Sequence, residues 1–200
     1  MRLRVKAAAV SRVLRWSQQL LLVGAIVALA YCGFIVLDSW IFQRRELREF
    51  DRIVTAAPPA VSGISVAPQA DGLIGRIELR RLGLSAMVVE GTTTSALRRA
   101  AGHITSTGMP GVPGNVGVAA HRDTFFRPLR NVRKDDVITL TTAGAEYRYR
   151  VVSMRVVDPD DVSVLNASDG EVLTLVTCYP FFFIGSAPER FIVRAERIIE

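Results

Sequence analysis

The chain has 200 residues, of which half are hydrophobic and 22% are charged, and its formal net charge is +6. This composition excludes an intrinsically disordered chain, and the length allows one domain of ordinary size with an extension. Five positive charges and no acidic residue precede residue 20. Because such charge beside an apolar segment is typical of membrane topology, we expect a membrane partner and no nucleic-acid partner.

An apolar segment follows the basic residues directly. Residues 20–37 carry no charge, and extension to residue 42 adds only Asp38. A helix of this length rises about 1.5 Å per residue and crosses a hydrocarbon core of about 30 Å. The alternative, a cleaved signal peptide, usually has a shorter apolar region of about 7–15 residues. We therefore predict a basic cytoplasmic N-terminus at 1–19 and an uncleaved, single-pass transmembrane signal-anchor at 20–42, with the rest outside the cytoplasm.

The remainder divides into a connecting segment and a mainly β domain. Mixed charge and then an Ala- and Pro-rich run predict a juxtamembrane helix and linker at 43–70, and the domain occupies 71–200. About eight strands with only short helical pieces predict a closed or nearly closed β-barrel. The run TTSALRRAA, with threonines available as its N-cap, predicts a short helix at 93–101. Apolar and β-branched runs predict strands at 73–79, 84–89, 115–120, 137–142, 147–157, 172–178 and 190–199.

Cys178 is a candidate nucleophile. The chain has two cysteines, and Cys32 lies inside the predicted membrane span, so the two cannot plausibly form a disulfide. A free cysteine is usually a small buried hydrophobe, and that interpretation stays open here. However, Cys178 ends a predicted strand and Pro180 follows closely, which places the thiol at the rim of the sheet.

A thiol nucleophile needs a basic or cationic neighbour. His121 ends the predicted strand 115–120, at a strand end like that of Cys178. His103 lies near a predicted helix end, and we expect a structural role for it. Arg190 begins the last strand, and its guanidinium reaches the thiol if this strand forms a hairpin with the strand of Cys178.

The stretch TLVTC at 174–178 matches the TLxTC signature of the sortases, which are cysteine transpeptidases of bacterial cell surfaces. The chain also resembles sortases, particularly those of class D, around His121 and from Cys178 to Arg190, and the resemblance covers about residues 74–198. It implies a sortase-like closed β-barrel with Cys178 as nucleophile, His121 as acid and base, Arg190 as catalytic arginine and Thr177 lining the substrate or oxyanion site. It implies neither a metal nor an organic cofactor. One departure is Ala120, where the family pattern has glycine.

The resemblance further implies cleavage of an LPxTG-like sorting signal through a thioacyl enzyme. The partners would be secreted proteins with a C-terminal sorting signal and an amine acceptor, such as a cell-wall precursor or another protein. Two alternatives are an L,D-transpeptidase, whose serine-histidine-glycine-cysteine cluster TLVTC lacks, and a non-catalytic membrane-tethered β-domain. The aromatic run 179–183 is either a groove wall or ordinary packing, and the run DPDD at 158–161 favours a turn over a calcium loop.

Overall fold

The computed structural model describes residues 2–56 and 72–199, so the predicted linker after residue 56 lies outside the described residues. The first element is helix α1, Arg2–Ala56. Its portion Arg15–Arg45 is long and apolar enough to cross a membrane, as the sequence predicts for one N-terminal helix. Two compact units make up the chain, Met1–Ile41 and Phe42–Glu200.

Within residues 72–199 of the second unit, the structure has eight strands, one short α-helix and three short 3-10 helices. Helix α2 is Thr94–Arg99, and the 3-10 turns are Arg80–Leu82, Arg127–Asn131 and Val162–Leu165. The strands are β1 Leu73–Leu79, β2 Leu84–Glu90, β3 Ala101–His103, β4 Gly114–Ala119, β5 Val137–Thr142, β6 Glu146–Val157, β7 Glu171–Tyr179 and β8 Glu189–Arg197.

These strands form a closed barrel in the order β1-β2-β3-β4-β7-β8-β6-β5, in which β5 pairs with β1. The predicted closed β-barrel is therefore confirmed. Most neighbours are antiparallel, but β2 with β3 and β4 with β7 are parallel. The parallel β4–β7 pair matters most for the site, since both strands run toward the same end of the barrel.

Strand β3 is the element that the sequence pattern did not predict. The Thr93 side chain caps α2 by accepting from the Ala96 N–H at 3.2 Å, as a threonine N-cap should. The helix then ends at Arg99, and Ala101 belongs to β3 and not to the predicted helix. Three residues are too few to show a strand periodicity, so only pairing with β2 and β4 defines this strand.

The alternation of β7 separates an inner face from an outer face. Leu173, Leu175 and Thr177 are buried on the inner face, and both leucines belong to the main hydrophobic core. Because successive strand residues point to opposite faces, Val176 and Cys178 face outward. The candidate nucleophile thus lies on the outer surface of the barrel and not in its core.

Candidate active site

Cys178 and Arg190 are direct cross-strand partners. Strands β7 and β8 pair antiparallel, and the register sets Cys178 opposite Arg190 and Val176 opposite Ile192. Side chains directly opposite in such a pair share one face, with Cβ atoms about 4.5–5.5 Å apart. Both residues are partly exposed. The hairpin that the sequence predicted conditionally is present, and its register sets the two residues opposite each other on the same face of the sheet.

His121 reaches the same edge through β4. In the parallel β4–β7 pair, Ala119 lies opposite Val176, and the Ala120 N–H donates to the Val176 carbonyl at 3.2 Å. His121 and Cys178 each lie two residues beyond that matched pair. His121 is exposed. The barrel therefore brings the ends of three strands, and with them His121, Cys178 and Arg190, to one edge.

Arg190 also bonds to the loop that precedes it. Its Nη1 donates to the carbonyls of Ala187 at 3.2 Å and of Glu189 at 3.0 Å. A guanidinium has further N–H donors on Nε and Nη2. Arg190 can therefore keep its own loop contacts and still offer donors to an oxygen next to Cys178.

Thr177 occupies the inner face, next to Cys178 in sequence. It is only 2% exposed, and its Oγ1 donates to the Ala120 carbonyl at 2.7 Å. The hydroxyl thus ties β7 to the segment that leads into His121. Its part in lining the substrate or oxyanion site stays a prediction. Ala120 itself is in the core cluster, so its methyl group, where the family pattern has glycine, points away from the outer face.

The outer faces of β4 and β7 form the floor beside Cys178. Ala119 and Val176 are partly exposed there. Farther along the floor, side chains cover Gly117, since a Cβ at that position would lie 3.2 Å from both Ile104 Cδ1 and Leu165 Cδ2. The floor is therefore open near the three candidate residues and closed at Gly117.

Asn115 is a residue of this region that the sequence reasoning missed. Its Nδ2 donates to the carbonyls of Val164 at 3.0 Å and Asn166 at 3.2 Å, and its Oδ1 accepts from Thr174 Oγ1 at 2.7 Å. Both Asn115 and Thr174 are buried. The side chain therefore fixes the loop between β6 and β7 above the floor. In sequence, an asparagine at the start of a strand gives no sign of partners about 50 residues away.

The aromatic run 179–183 divides into a packed part and an exposed part. Tyr179, Phe181 and Phe191 form one ring cluster, with centroids 5.4–6.2 Å apart. In contrast, Phe182 is 80% exposed and Ile184 is fully exposed. Ordinary packing therefore describes the first rings of the run, and the groove wall stays a prediction for its exposed tip.

His103 lies apart from these groups, buried in β3. Its Nδ1 is 2.8 Å from Glu90 Oε2, and its Nε2 is 2.9 Å from the Gly108 carbonyl oxygen. These contacts fit the structural role expected for it. In the DPDD run, Asp161 Oδ1 accepts from the Ser163 N–H and caps a 3-10 turn. Within residues 2–56 and 72–199, no cluster of three or more His, Cys, Asp or Glu side chains is arranged to hold a metal.

Comparison with known proteins places this arrangement in a family. The family model of the sortase domain matches residues 77–198, which is more than half of the chain. The chain belongs to the sortase family. It is therefore a cysteine transpeptidase by family, and the resemblance read from its sequence is confirmed.

Individual sortases agree over most of this chain. Sortase D of Bacillus subtilis is 28% identical over 190 residues, which cover 89% of this chain and 96% of that protein. A solved structure of a Clostridium perfringens sortase D5 transpeptidase has a TM-score of 0.62 and 25% identity, covering 81% of this chain and 99% of that one. Listeria monocytogenes sortase A gives a TM-score of 0.59 at 27% identity, with 64% and 89% covered. Membership in this family excludes the L,D-transpeptidase and the non-catalytic β-domain.

Proposed function

We propose that this sortase is a membrane-anchored enzyme that cleaves an LPxTG-like sorting signal through a thioacyl intermediate on Cys178 and transfers the protein to an amine. The observation that carries the proposal is the cross-strand pairing of Cys178 with Arg190, with His121 at the matching position beyond β4. Nucleophile, cation and acid–base group then surround one point on the outer face.

In the first half-reaction, the Cys178 thiolate attacks the carbonyl carbon of the Thr–Gly bond. The carbonyl oxygen gains negative charge, and Nε or Nη2 of Arg190 donates a hydrogen bond to it. His121, protonated, gives its proton to the glycine nitrogen as the C–N bond breaks. The products are a thioacyl enzyme and a free C-terminal fragment.

In the second half-reaction, an amine attacks the thioester carbonyl carbon. His121, now neutral, takes a proton from the attacking nitrogen, and Arg190 again stabilises the oxyanion. The C–S bond breaks, the Cys178 thiolate leaves, and a new amide joins the sorted protein to its acceptor. No metal or organic cofactor takes part in either half.

The N-terminal helix supplies the setting for this chemistry. Its span Arg15–Arg45 is apolar enough to cross the membrane, and the basic residues before it favour a cytoplasmic N-terminus. The barrel then lies on the outer side of the cell membrane, where secreted proteins with C-terminal sorting signals emerge. The acceptor is an amine of a cell-wall precursor or of another protein.

The test is turnover of an LPxTG-type peptide with a fluorophore and a quencher, with triglycine as the amine. The full chain in detergent micelles is compared with Cys178→Ala, and Cys32→Ala is the matched control, since the sequence has only these two cysteines. We expect Cys32→Ala to turn over like the wild type and Cys178→Ala to be inactive. Intact-mass measurement without triglycine should show the acyl adduct on the wild type and on Cys32→Ala but not on Cys178→Ala.

Equal turnover by the wild type and Cys178→Ala would refute the proposed mechanism. Arg190→Gln tests the role of the cation. We expect it to lower kcat by about 10²–10³-fold, the loss that follows removal of an oxyanion donor. A peptide library then identifies the preferred sorting motif.

A further inference from the structure

Arg122 is buried at the candidate site although it carries a charge and follows the exposed His121. It is 6% exposed. Its Nη1 donates to the Pro180 carbonyl at 2.9 Å, and its Nη2 donates to the carbonyls of Phe183 at 2.7 Å and Gly185 at 3.1 Å. The guanidinium carbon also lies 5.9 Å from the centroid of the Phe183 ring. All of these partners belong to the loop between β7 and β8.

The charge of Arg122 has a weak ionic partner. Its Nε is 3.7 Å from Asp123 Oδ1, but the Asp123 side chain is 73% exposed, and such a carboxylate contributes little in water. Burying a guanidinium is costly unless its donors are bonded. Here three backbone carbonyls of one loop accept hydrogen bonds from the guanidinium. The planar guanidinium has several N–H donors in a fixed geometry that fits these carbonyls, whereas a lysine ammonium does not.

The same loop is held by Arg190 at its other end. Arg190 Nη1 donates to the carbonyls of Ala187 and Glu189. Together, Arg122 and Arg190 therefore donate hydrogen bonds to carbonyls spaced along the segment from Pro180 to Glu189. Between these bonds lies the exposed tip of Phe182 and Ile184. The segment that leaves the nucleophile is therefore attached to the segment that carries His121.

We propose that Arg122 is a positioning residue that fixes the β7–β8 loop as a wall beside Cys178 and thereby sets how tightly the sorting peptide binds. The proposal rests on the proposed function, since it concerns the same peptide site. Arg122 itself takes no part in the bond changes. Cys178 and His121 are held independently by strand register and by the Thr177–Ala120 hydrogen bond.

The expected consequence is a split between KM and kcat. Without the Arg122 fork, the three carbonyls lose their donors and the loop adopts other conformations, while the strand-borne groups stay in place. We expect Arg122→Lys to lower kcat/KM by about 10- to 100-fold, the order seen when a site is misplaced from a distance. The loss should appear chiefly as a higher KM, because the loop binds the peptide and does not take part in the chemistry.

The experiment uses the full chain in detergent micelles and the same LPxTG-type peptide. Arg122→Lys and Arg122→Gln are compared with Arg130→Lys and Arg130→Gln. Arg130 is the matched control because it contacts the same loop through a ring, with its guanidinium carbon 5.5 Å from the Phe182 ring centroid, whereas Arg122 donates to the loop carbonyls. The rate at which proteinase K cuts within residues 180–188 is measured by mass spectrometry on the same variants. We expect a higher KM and faster cutting for the Arg122 variants alone.

Two results would overturn the proposal. One is a wild-type KM and cutting rate in Arg122→Lys, and the other is a fall of kcat and melting temperature with KM unchanged, which would indicate a purely structural role. If the Arg122 variants do not fold, Phe183→Ala removes the ring beside the guanidinium and leaves Arg122 with its carbonyl partners, and its KM and cutting rate should rise in the same direction. A wild type that does not cleave the peptide would refute the proposed function, yet equal cutting rates of the Arg122 and Arg130 variants would still refute the positioning role.

Discussion

Thr177 Oγ1 donates a 2.7 Å hydrogen bond to the Ala120 carbonyl, and this bond joins the residue before Cys178 to the residue before His121. Both partners are buried, with Thr177 only 2% exposed. The bond lies on the inner face of the barrel, while the proposed nucleophile and acid–base residue lie on the outer face. It therefore supports their spacing from the inner side of the barrel.

Thr177→Val should be destabilising and less active. Valine keeps the shape of threonine but leaves the buried Ala120 carbonyl unpaired, which costs about 1–3 kcal/mol of the free energy of unfolding. Thr177→Ser keeps the donor and is the matched control. Thermal unfolding and peptide turnover of both variants test this, and equal behaviour of Val and Ser would show that the hydroxyl contact is dispensable.

Asn115→Leu should weaken peptide binding through the β6–β7 loop. The substitution removes the donors to the Val164 and Asn166 carbonyls and the acceptor for Thr174 Oγ1. We expect a higher KM and a lower melting temperature. Thr174→Val breaks only one of the three bonds and should have a smaller effect on KM. A larger effect of Thr174→Val would mean that the loop is not held through Asn115.

Asp136 should make the melting temperature depend on pH in the acid range. The Arg81 guanidinium, which donates from Nε to Oδ1 and from Nη2 to Oδ2 at 2.6 Å, holds the pKa of Asp136 below its ordinary value of 3.8, and the Arg133 N–H adds to this. A carboxyl whose pKa is lower in the folded protein than in the unfolded protein stabilises the fold at any pH above its unfolded-state pKa. This stabilisation is lost as the pH falls through the folded-state pKa. The melting temperature of the wild type should therefore drop below about pH 4 toward that of Asp136→Asn.

The matched control for this measurement is Asp135→Asn. The neighbouring residue has a φ of 71°, a conformation that asparagine tolerates, so the variant removes one charge without backbone strain. If Asp136→Asn kept the same difference from the wild type at neutral and at acid pH, the Arg81–Asp136 pair would not be the cause of the acid dependence.

Gln43 should stabilise the barrel unit from its N-terminal end. Its Oε1 accepts from the Met87 N–H at 3.0 Å, and its Nε2 donates to the Arg99 carbonyl at 2.6 Å. The pairing of β3 with β2 begins only at Val88, so Gln43 satisfies a strand N–H just before that pairing. Gln43→Leu should lower the melting temperature and speed hydrogen exchange at the Met87 amide. Gln18→Leu is the control, and equal exchange in both variants would contradict the role of Gln43.

Local patterns in the sequence were sufficient for much of the fold. The predicted β1 and β5 agree with the structure residue for residue, and the other five predicted strands differ by one or two residues at their ends. These elements are long enough for apolar alternation to show. Strand β3 was missed because three residues carry no period, and its existence depends on neighbours brought together by the closed barrel.

By itself, the sequence determined the apolar span near the N-terminus, the closed β-barrel and the TLVTC motif, because run length, alternation and a short signature are properties of neighbouring residues. Only the tertiary structure decided that Cys178 and Thr177 face opposite sides, that Arg190 lies across from Cys178, and that Arg122 and Asn115 hold two loops. The contacts of Arg190, Arg122 and Asn115 join residues from about 10 to 60 positions apart, so they depend on strand register and on the burial of polar groups that closure of the barrel creates.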